Sequence, residues 1–269
     1  MNVIFIGNPR TKSSSLLLSE LEADNTIINP ELSQVVFSNN KAFFCGENLA
    51  NYDVMIMRSI KQREKLAILA MQMENNGKIV IDGAERVLKH GTTTKEYTSI
   101  DRSYGGIDTY ILPRGILPRD YPVIVKPKAG KYCRGIYIAN NEQEYLQGLT
   151  GDMIVQKYIP FEHEVRAMVL NISYPKVIYI ASKKRPARRD VVMRARDVPG
   201  EIKHSVNKFI IENQYAINRK GLIGYDIGIH DGKHYIIEAN YSPRFDRATR
   251  KLRINIANLI INEIRREVY

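Results

Sequence analysis

Short apolar runs alternate with segments of helical periodicity in the first third of the chain. An apolar face of leucines between residues 16 and 21 predicts a helix with its N-cap among Ser13–Ser15, and residues 61–76 have helical spacing that ends at Gly77. The strand-like runs around these helices are MNVIFIG, TIINP, YDVMIMRS and KIVI. This alternation of buried strands and helices predicts an α/β sheet unit.

Beyond this unit the pattern changes to shorter strands and loops. TTTKEYTSIDRSYGG predicts a capped helix closed by two glycines, and NEQEYLQGL predicts a short helix. Between them, YPVIVKPKAGKYCRGIYIA predicts a strand, a glycine-containing loop and a second strand. Longer strands follow in MIVQKYIP, EVRAMVLN and KVIYIAS. We expect a small α+β unit that leads into a larger one.

The last part of the chain contains a strong local signal for a hairpin. Alternating apolar residues flank Asp231-Gly232, a dipeptide typical of a two-residue type I′ turn. A helix near 201–219 precedes the hairpin, and an amphipathic helix from Ile254 to Val268 follows it. The patterns together predict three units: an N-terminal α/β domain over 1–90, a loop-bearing unit over 91–159 and a C-terminal unit over 160–269.

Composition and charge narrow the class of protein. The chain has 269 residues, 44% of them hydrophobic, and its 40 Lys and Arg against 29 Asp and Glu give a net charge of +11. This composition is typical of a globular protein, and the positive charge favours an anionic partner such as a nucleotide, an acidic peptide or nucleic acid. No run approaches the roughly 18 apolar residues of a membrane span, and the N-terminus does not resemble a signal peptide. We therefore expect a cytoplasmic protein that makes no membrane contact.

The hairpin carries three oxygen-bearing side chains that are candidates for a metal site. Glu238 and Asn240 are two residues apart on one strand and so share a face, and Asp226 lies on the partner strand. Carboxylate and amide oxygens suit Mg²⁺, which prefers one or two carboxylates together with substrate phosphates. The alternative is that all three are exposed polar residues on a half-solvated sheet face.

Two further segments have the composition of a nucleotide site. Lys126 ends an apolar strand, and Gly130 and Gly135 in the loop after it allow backbone N–H groups to approach phosphate oxygens. VQKYIP is an apolar strand that runs into Pro160 and could offer backbone groups to an adenine edge. Taken alone, the lysine and its loop are also compatible with an ordinary strand and turn, because two glycines five apart do not match a P-loop. VQKYIP by itself is little more than a strand and a turn.

The order of these segments resembles the ATP-grasp superfamily, in particular the RimK-like carboxylate-amine ligases. The resemblance extends from YDVMIMRS, through TTTKEYTSI, VIVKPKAGKYCRG and VQKYIP, to IEANYSPRF. It implies an α/β fold of the ATP-grasp type, in which an N-terminal α/β sheet domain is followed by two ATP-grasp subdomains that sandwich ATP. It also implies an enzyme that joins a carboxylate substrate to an amine substrate through an acyl phosphate and releases ADP and phosphate.

The same resemblance implies roles for individual residues. Phosphate-binding lysines would be Lys95 and Lys126, with Lys157, Tyr158, Glu164 and Arg166 completing the nucleotide site. Asp226, Glu238 and Asn240 would hold one or two Mg²⁺ ions, with Mn²⁺ as an alternative. Lys183, Arg185 and Arg244 would act on the transferred phosphate or on the substrate carboxylate.

Some segments depart from the family pattern and leave alternatives open. The basic stretch 183–196 lacks the Arg-x-Asn element of RimK-like enzymes, and Arg244 stands where those chains usually have Gly. The stretch is either a solvated loop or a binding surface for an anionic substrate. A kinase acting on a polyanionic small molecule and a nucleic-acid-binding protein on a degenerate ATP-grasp scaffold are the alternative functions. Assembly into a homo-oligomer stays open.

Overall fold

The computed structural model describes the chain except for a set of short segments. These segments are 23–24, 60, 85–86, 88–106, 114, 128–134, 150, 152, 183–197, 214–220 and 241–242, and only the backbone is described at 247 and 251. The predicted helix in TTTKEYTSIDRSYGG, the glycine-containing loop after Lys126 and the basic stretch therefore lie outside the described residues. Every other element predicted from the pattern falls at least partly within them.

A parallel sheet forms the N-terminal part, as the alternating pattern predicts. Its strands are ordered β2-β1-β6-β7, all parallel. The elements of the sheet and its helices are β1 (Asn2–Ile6), α1 (Lys12–Leu21), β2 (Thr26–Ile28), β6 (Val54–Met57), α2 (Arg63–Asn75) and β7 (Ile79–Ile81). Parallel strands of this kind are buried on both faces, which explains their uninterrupted apolar sequences.

The start of α1 differs from the prediction. Its N-cap is Thr11, which makes no side-chain capping hydrogen bond, and Ser13 and Ser14 lie buried inside the first turn. The placement of the cap among Ser13–Ser15 was therefore wrong. The structure uses Ser13 for a contact with the C-terminal part of the chain, which a local capping rule does not consider.

A small antiparallel sheet, β3-β4-β5, is inserted between β2 and β6. It consists of β3 (Val36–Ser38), β4 (Lys41–Phe44) and β5 (Glu47–Asn48), with short 3₁₀ turns at Leu32–Gln34 and Leu49–Asn51. Asn39 and Asn40 both have positive φ, 48° and 59°, as the two-residue turn between β3 and β4 requires.

A second antiparallel sheet lies in the middle of the chain, in the order β10-β9-β11-β8. Its elements are β8 (Thr109–Leu112), β9 (Val123–Pro127), β10 (Tyr137–Ala139), α3 (Glu142–Gln147) and β11 (Met153–Lys157). Asn141 caps α3 by accepting a hydrogen bond from the Glu144 N–H. Tyr145 is fully buried and joins the helix to the core of this sheet.

The C-terminal sheet has four long antiparallel strands in the order β13-β12-β14-β15. They are β12 (His163–Asn171), β13 (Pro175–Ser182), β14 (Gly221–His230) and β15 (Lys233–Asn240), and the helices are α4 (Gly200–Glu212), α5 (Asp246–Leu252) and α6 (Ile256–Val268). The turn between β14 and β15 has positive φ at Asp231 and Gly232, 47° and 70°. This confirms the type I′ hairpin expected from the sequence.

The N-terminal and C-terminal sheets share one hydrophobic core. Phe5 and Leu17 belong to the same buried cluster as Met168, Leu222 and Ile260. Helix α4 covers the opposite face of the C-terminal sheet, where it contributes to a separate core cluster. Among the described residues, no helix is both long and apolar enough to cross a membrane.

Candidate functional site

Three charged side chains lie side by side across the C-terminal sheet. Arg166 on β12 is opposite Asp226 on β14, and Asp226 is opposite Glu238 on β15. Directly opposed residues of an antiparallel pair project from the same face. The two acidic residues predicted to bind a metal are therefore brought together, with an arginine as their neighbour.

A β-bulge is responsible for the pairing of the two carboxylates. The hairpin pairs Ile227 with Ile236, and the register then shifts so that Asp226 pairs with Glu238. Without this shift Ile237 would stand opposite Asp226, and Glu238 would project from the other face. The extra residue in β15 thus rotates Glu238 onto the face of Asp226.

Arg166 and Asp226 form a bidentate ion pair. The Arg166 Nε donates to Asp226 Oδ1 at 2.6 Å and Nη2 donates to Oδ2 at 2.8 Å. Burial alone would lower the pKa of the Arg166 guanidinium, but the hydrogen bonds to Asp226 and the charges of Asp226 and Glu238 outweigh it and raise the pKa. The guanidinium is thus held as a cation on this face. Burial also raises the pKa of the neighbouring Tyr179 phenol, against the charge of Arg166.

Asn240 continues the same face of β15, two residues beyond Glu238. Its partner on β14 is Gly224, which has no side chain to occupy the space opposite. A Cβ at Gly224 would lie 3.1 Å from Pro243 Cβ and 3.8 Å from Arg166 Cδ. Glycine at this position therefore lets the aliphatic part of Arg166 and the segment after β15 pack closely together.

The donor set on this face fits a divalent cation with a preference for oxygen. Asp226, Glu238 and Asn240 supply carboxylate and amide oxygens, as Mg²⁺ requires. Both oxygens of Asp226 accept from Arg166, yet a carboxylate has about four lone-pair sites and retains acceptor capacity. Within the described part of the chain, the half-buried Glu238 makes no side-chain hydrogen bond, so its carboxylate is available for a ligand.

Lys126 lies on the middle sheet and is held by a relay of polar side chains. Its Nζ donates to Gln156 Oε1, the Gln156 Nε2 donates to Thr109 Oγ1 at 2.9 Å, and Thr109 Oγ1 donates to the Ile107 carbonyl at 2.7 Å. Gln156 is only 1% exposed. Sequence reasoning did not assign it a role, although a glutamine inside the apolar run MIVQK is a signal, because a buried amide needs partners.

At the predicted adenine site, the backbone N–H groups of Lys157 and Tyr158 are both engaged in hydrogen bonds. The N–H of Lys157 donates to the Asp108 carbonyl at 3.0 Å, and the N–H of Tyr158 donates to the Pro122 carbonyl at 3.1 Å. Both N–H groups are therefore used within the middle part of the chain. Hydrogen bonds between a nucleotide base and the backbone of these two residues would therefore have to be accepted by their carbonyl oxygens.

An aromatic contact fixes the end of this segment on the C-terminal sheet. The Phe161 ring lies over Gly228, where an added Cβ would come within 2.5 Å of the ring, and its centroid is 5.9 Å from that of Tyr235. Gly228 is also the cross-strand partner of Glu164. Glu164, the residue predicted to bind ribose, is half-buried near the start of β12, on the same strand as Arg166.

Arg244 lies in the segment between β15 and α5 and is paired with the first residue of α5. Its Nε and Nη2 donate to the two oxygens of Asp246 at 3.1 and 3.2 Å, although the Arg244 side chain is largely exposed. The Ser13 hydroxyl donates to Asp246 Oδ1 at 3.2 Å and accepts from the Phe245 N–H at 3.2 Å. Burial would raise the pKa of Asp246, but the hydrogen bonds from Arg244 and Ser13 lower it.

Three of the predicted site residues cannot be assigned a position. Lys95, Lys183 and Arg185 lie outside the described residues. Their roles remain predictions. The same holds for the roles of all the other site residues: Lys126, Lys157, Tyr158, Glu164, Arg166 and Arg244, and the metal ligands Asp226, Glu238 and Asn240.

Comparison with known proteins identifies the class. The RimK-like ATP-grasp domain matches residues 84–264, more than half of the chain. The chain therefore belongs to the RimK-like ATP-grasp family, and the family and fold expected from the order of the segments are confirmed.

Solved structures with the same fold share little sequence with this chain. The ATP-grasp ligase PsnB, in complex with a minimal precursor, Mg and ADP, has a TM-score of 0.71 and 15% identity over 99% of this chain and 97% of that chain. The D-alanine–D-alanine ligase of Bacillus anthracis in complex with ATP has a TM-score of 0.58 and 17% identity over 99% and 98% of the two chains. At these identities the likeness establishes the fold.

A curated relative matches over a shorter region. The D-alanine–D-alanine ligase of Lacticaseibacillus casei strain BL23 is 22% identical over 173 residues, which cover 59% of this chain and 46% of the relative. The match thus spans about half the length of that protein.

Proposed function

We propose that the chain is an ATP-dependent carboxylate-amine ligase. It would form an amide or peptide bond by way of an acyl phosphate and release ADP and phosphate. The observation that supports this most strongly is the alignment of Arg166, Asp226 and Glu238 on one face of the C-terminal sheet, in a chain of the RimK-like ATP-grasp family. ATP would lie between the units 91–159 and 160–269.

The nucleotide side of the site uses lysines and backbone groups. Lys126, oriented by Gln156, would contact phosphate oxygens, and so would Lys95. Carbonyl oxygens at Lys157 and Tyr158 would accept from the adenine amino group, because the N–H groups of both residues are already used. Glu164 would accept hydrogen bonds from the ribose hydroxyls.

The acidic face of the C-terminal sheet, defined by Asp226, Glu238 and Asn240, would hold the metal that accompanies ATP. Glu238 and Asn240, together with the remaining acceptor capacity of Asp226, would ligate one or two Mg²⁺ ions, with Mn²⁺ as a substitute. Mg²⁺, when bound, neutralises charge on the transferred phosphoryl group. Arg166 is fixed as a cation beside these ligands, so it would limit the repulsion between the two carboxylates and stabilise phosphate oxygens that approach them.

The chemistry needs little acid–base catalysis. A carboxylate oxygen of the substrate attacks the γ-phosphorus of ATP. The bond between the γ-phosphorus and the oxygen that bridges it to the β-phosphate breaks, and ADP leaves. The amine nitrogen then attacks the acyl carbon, the bond from this carbon to the phosphate oxygen breaks so that phosphate leaves, and the proton lost by the nitrogen passes to the departing phosphate or to water. Lys183, Arg185 and Arg244 would stabilise the negative charge on phosphate and carboxylate oxygens, while exclusion of water protects the acyl phosphate from hydrolysis.

The net charge of +11 favours an anionic substrate. The proposal is tested by incubating the protein with Mg-ATP and pools of amino acids, acidic peptides and inositol phosphates, followed by mass spectrometry. We expect ADP only when a carboxylate and an amine are both present, with a product equal to their sum less water. A single substrate that gains a phosphoryl group would instead indicate a kinase, and RNA binding without turnover would indicate a binding protein.

A further inference from the structure

Arg58 is a buried cation whose hydrogen-bonding capacity is only partly used. It directly follows β6, its Nη2 donates to the Pro243 carbonyl at 3.0 Å, and its guanidinium carbon lies 5.9 Å from the centre of the Phe245 ring. Its Nε and Nη1 atoms are sealed from solvent and have no acceptor among the described residues. Because Nε carries one N–H bond and Nη1 carries two, most of the guanidinium donors are without a partner.

No carboxylate compensates this charge within the described part of the chain. Burial lowers the pKa of Arg58 to about 10, and burial is the sole cause, so the side chain remains a cation at neutral pH. The acid in the neighbouring segment, Asp246, is held by Arg244 and Ser13. A buried cation with unused donors is strongly unfavourable, and an anionic ligand is one of the few things that would justify it.

The position of Arg58 in the sheet is one at which ligands commonly bind. β1 pairs with β2 on one side and with β6 on the other, so the strand order reverses between β1 and β6. Ligands of open parallel α/β sheets bind outside the carboxyl ends of the strands at such a reversal. Gly7 and Arg58 follow these two strands, and a Cβ at Gly7 would lie 2.9 Å from Arg58 Cβ. Glycine at position 7 thus makes room for the arginine.

Arg58 also lies close to the acidic face of the C-terminal sheet. It holds Pro243 through the carbonyl oxygen, and Pro243 packs against Gly224, which is next to Arg166. The Arg58 guanidinium is therefore connected to the face that carries Arg166 and the proposed metal ligands through Pro243 and Gly224.

We propose that Arg58 binds a second carboxylate of the substrate, distinct from the carboxylate that is phosphorylated. The substrate is thus an acidic molecule with at least two carboxylates, and this inference rests on the proposed function. The planar fork of arginine matches a carboxylate in a bidentate arrangement, which lysine cannot reproduce. Arg58 as a whole is partly exposed while its Nε and Nη1 atoms are covered, so a carboxylate would reach these atoms only if the side chain moved outward.

The first test measures binding without turnover. Glutarate and inorganic phosphate are titrated separately into the full chain by calorimetry, with Mg²⁺ and a non-hydrolysable ATP analogue present and absent. We expect saturable glutarate binding that is weakened at least about tenfold in Arg58→Met, because a charge-assisted bidentate contact is lost. Arg63→Met is the matched control, since Arg63 is an exposed arginine of the same N-terminal part, and it should bind as the wild type does.

Two further variants keep the test decisive if Arg58→Met does not fold. Arg58→Lys retains the charge without the fork, and Gly7→Ala displaces Arg58 without altering it; both should weaken glutarate binding. Any of three results would overturn the assignment. These are unchanged glutarate affinity in folded variants, absence of saturable glutarate binding to the wild type, and binding of phosphate alone.

In turnover assays Arg58→Met should raise the KM for the acid and leave the KM for ATP unchanged. Absence of ATP turnover in the wild type would reject the ligase proposal but not anion binding by Arg58.

Discussion

Arg166 and Asp226 are joined by two parallel hydrogen bonds across adjacent strands, so the proposed metal site contains its own counter-charge. The pair connects a residue predicted to bind the nucleotide with one predicted to bind the metal. Asp226 is only 1% exposed and is therefore held rigidly, whereas Glu238 on the next strand is half-buried and makes no side-chain hydrogen bond within the described residues. Replacing each carboxylate by its neutral amide should therefore affect the stability of the protein to different extents.

Replacing Asp226 by Asn should lower both stability and activity. The amide has a single acceptor oxygen and no charge, so the Arg166 guanidinium keeps at most one of its two hydrogen bonds and loses its counter-charge. We expect the free energy of unfolding to fall by about 1–3 kcal/mol, less than for a fully buried pair because Arg166 keeps some exposure. Urea unfolding and ADP release measure the two effects. A variant as stable as the wild type would show that the pair contributes nothing to the fold.

Replacing Glu238 by Gln should separate activity from stability. The side chain has no hydrogen bond to lose among the described residues, so the free energy of unfolding should change by less than about 0.5 kcal/mol. A neutral amide loses most of the charge that holds the cation, so Mg-ATP turnover should be abolished. Full turnover in this variant at millimolar Mg²⁺ would exclude Glu238 as a metal ligand.

The sequence predicted most strands because their apolar runs are short and bounded by turn residues, and it predicted the hairpin because Asp231-Gly232 specifies the turn. It placed Asp226 and Glu238 on a common face, but the geometry that achieves this is the bulge in β15, which no local pattern indicated. A two-residue turn with unbroken register would have separated them.

Contacts between distant segments were beyond sequence reasoning. The pairing of Arg166 with Asp226 depends on β12 lying beside β14, which is a matter of sheet order and not of local periodicity. The hydrogen bond from Arg58 to Pro243 joins residues 185 positions apart. Such contacts are set by how the units pack, and a single sequence carries no direct signal for them.

Gln156 should act as a positioning residue for Lys126. In Gln156→Leu the lysine loses the acceptor that the Gln156 amide provides while the strand remains apolar, so we expect the KM for ATP to rise about tenfold with a smaller change in kcat. Thr109→Val, which removes the acceptor for the Gln156 amide, should have a weaker effect in the same direction. Gln143→Leu, at an exposed position of α3, serves as the control and should leave both constants unchanged.

His234 should make stability sensitive to mild acid. Its ring stacks on Phe209 at 5.1 Å and its Nε2 lies 3.1 Å from Ser205 Oγ, and burial lowers the pKa of the imidazole below its ordinary value of 6.5. The unfolded chain therefore binds a proton before the folded chain does, and stability falls as the pH drops below about 6.5. Urea unfolding at pH 7.5 and pH 5.0 should show a smaller acid loss in His234→Phe than in the wild type. The exposed His204, replaced by Gln, should leave the acid loss as it is.

The junction between the N-terminal and C-terminal sheets should depend on Gly221. Asp82 follows β7 and accepts a hydrogen bond from the Leu222 N–H at 3.0 Å, and Gly221 has φ +118° with no room for a side chain. A Cβ there would lie 2.4 Å from Asp82 Oδ1 and 2.7 Å from its backbone nitrogen. Gly221→Ala should therefore lower the free energy of unfolding by about 2–5 kcal/mol, since steric overlap adds to backbone strain. Gly232→Ala is the matched control, because Gly232 also has a positive φ of +70° but an added Cβ there would meet no atom of the described residues within 4 Å, and it should cost only about 1–2 kcal/mol. Equal losses in the two variants would mean that backbone strain alone, and not the contact with Asp82, requires glycine at position 221.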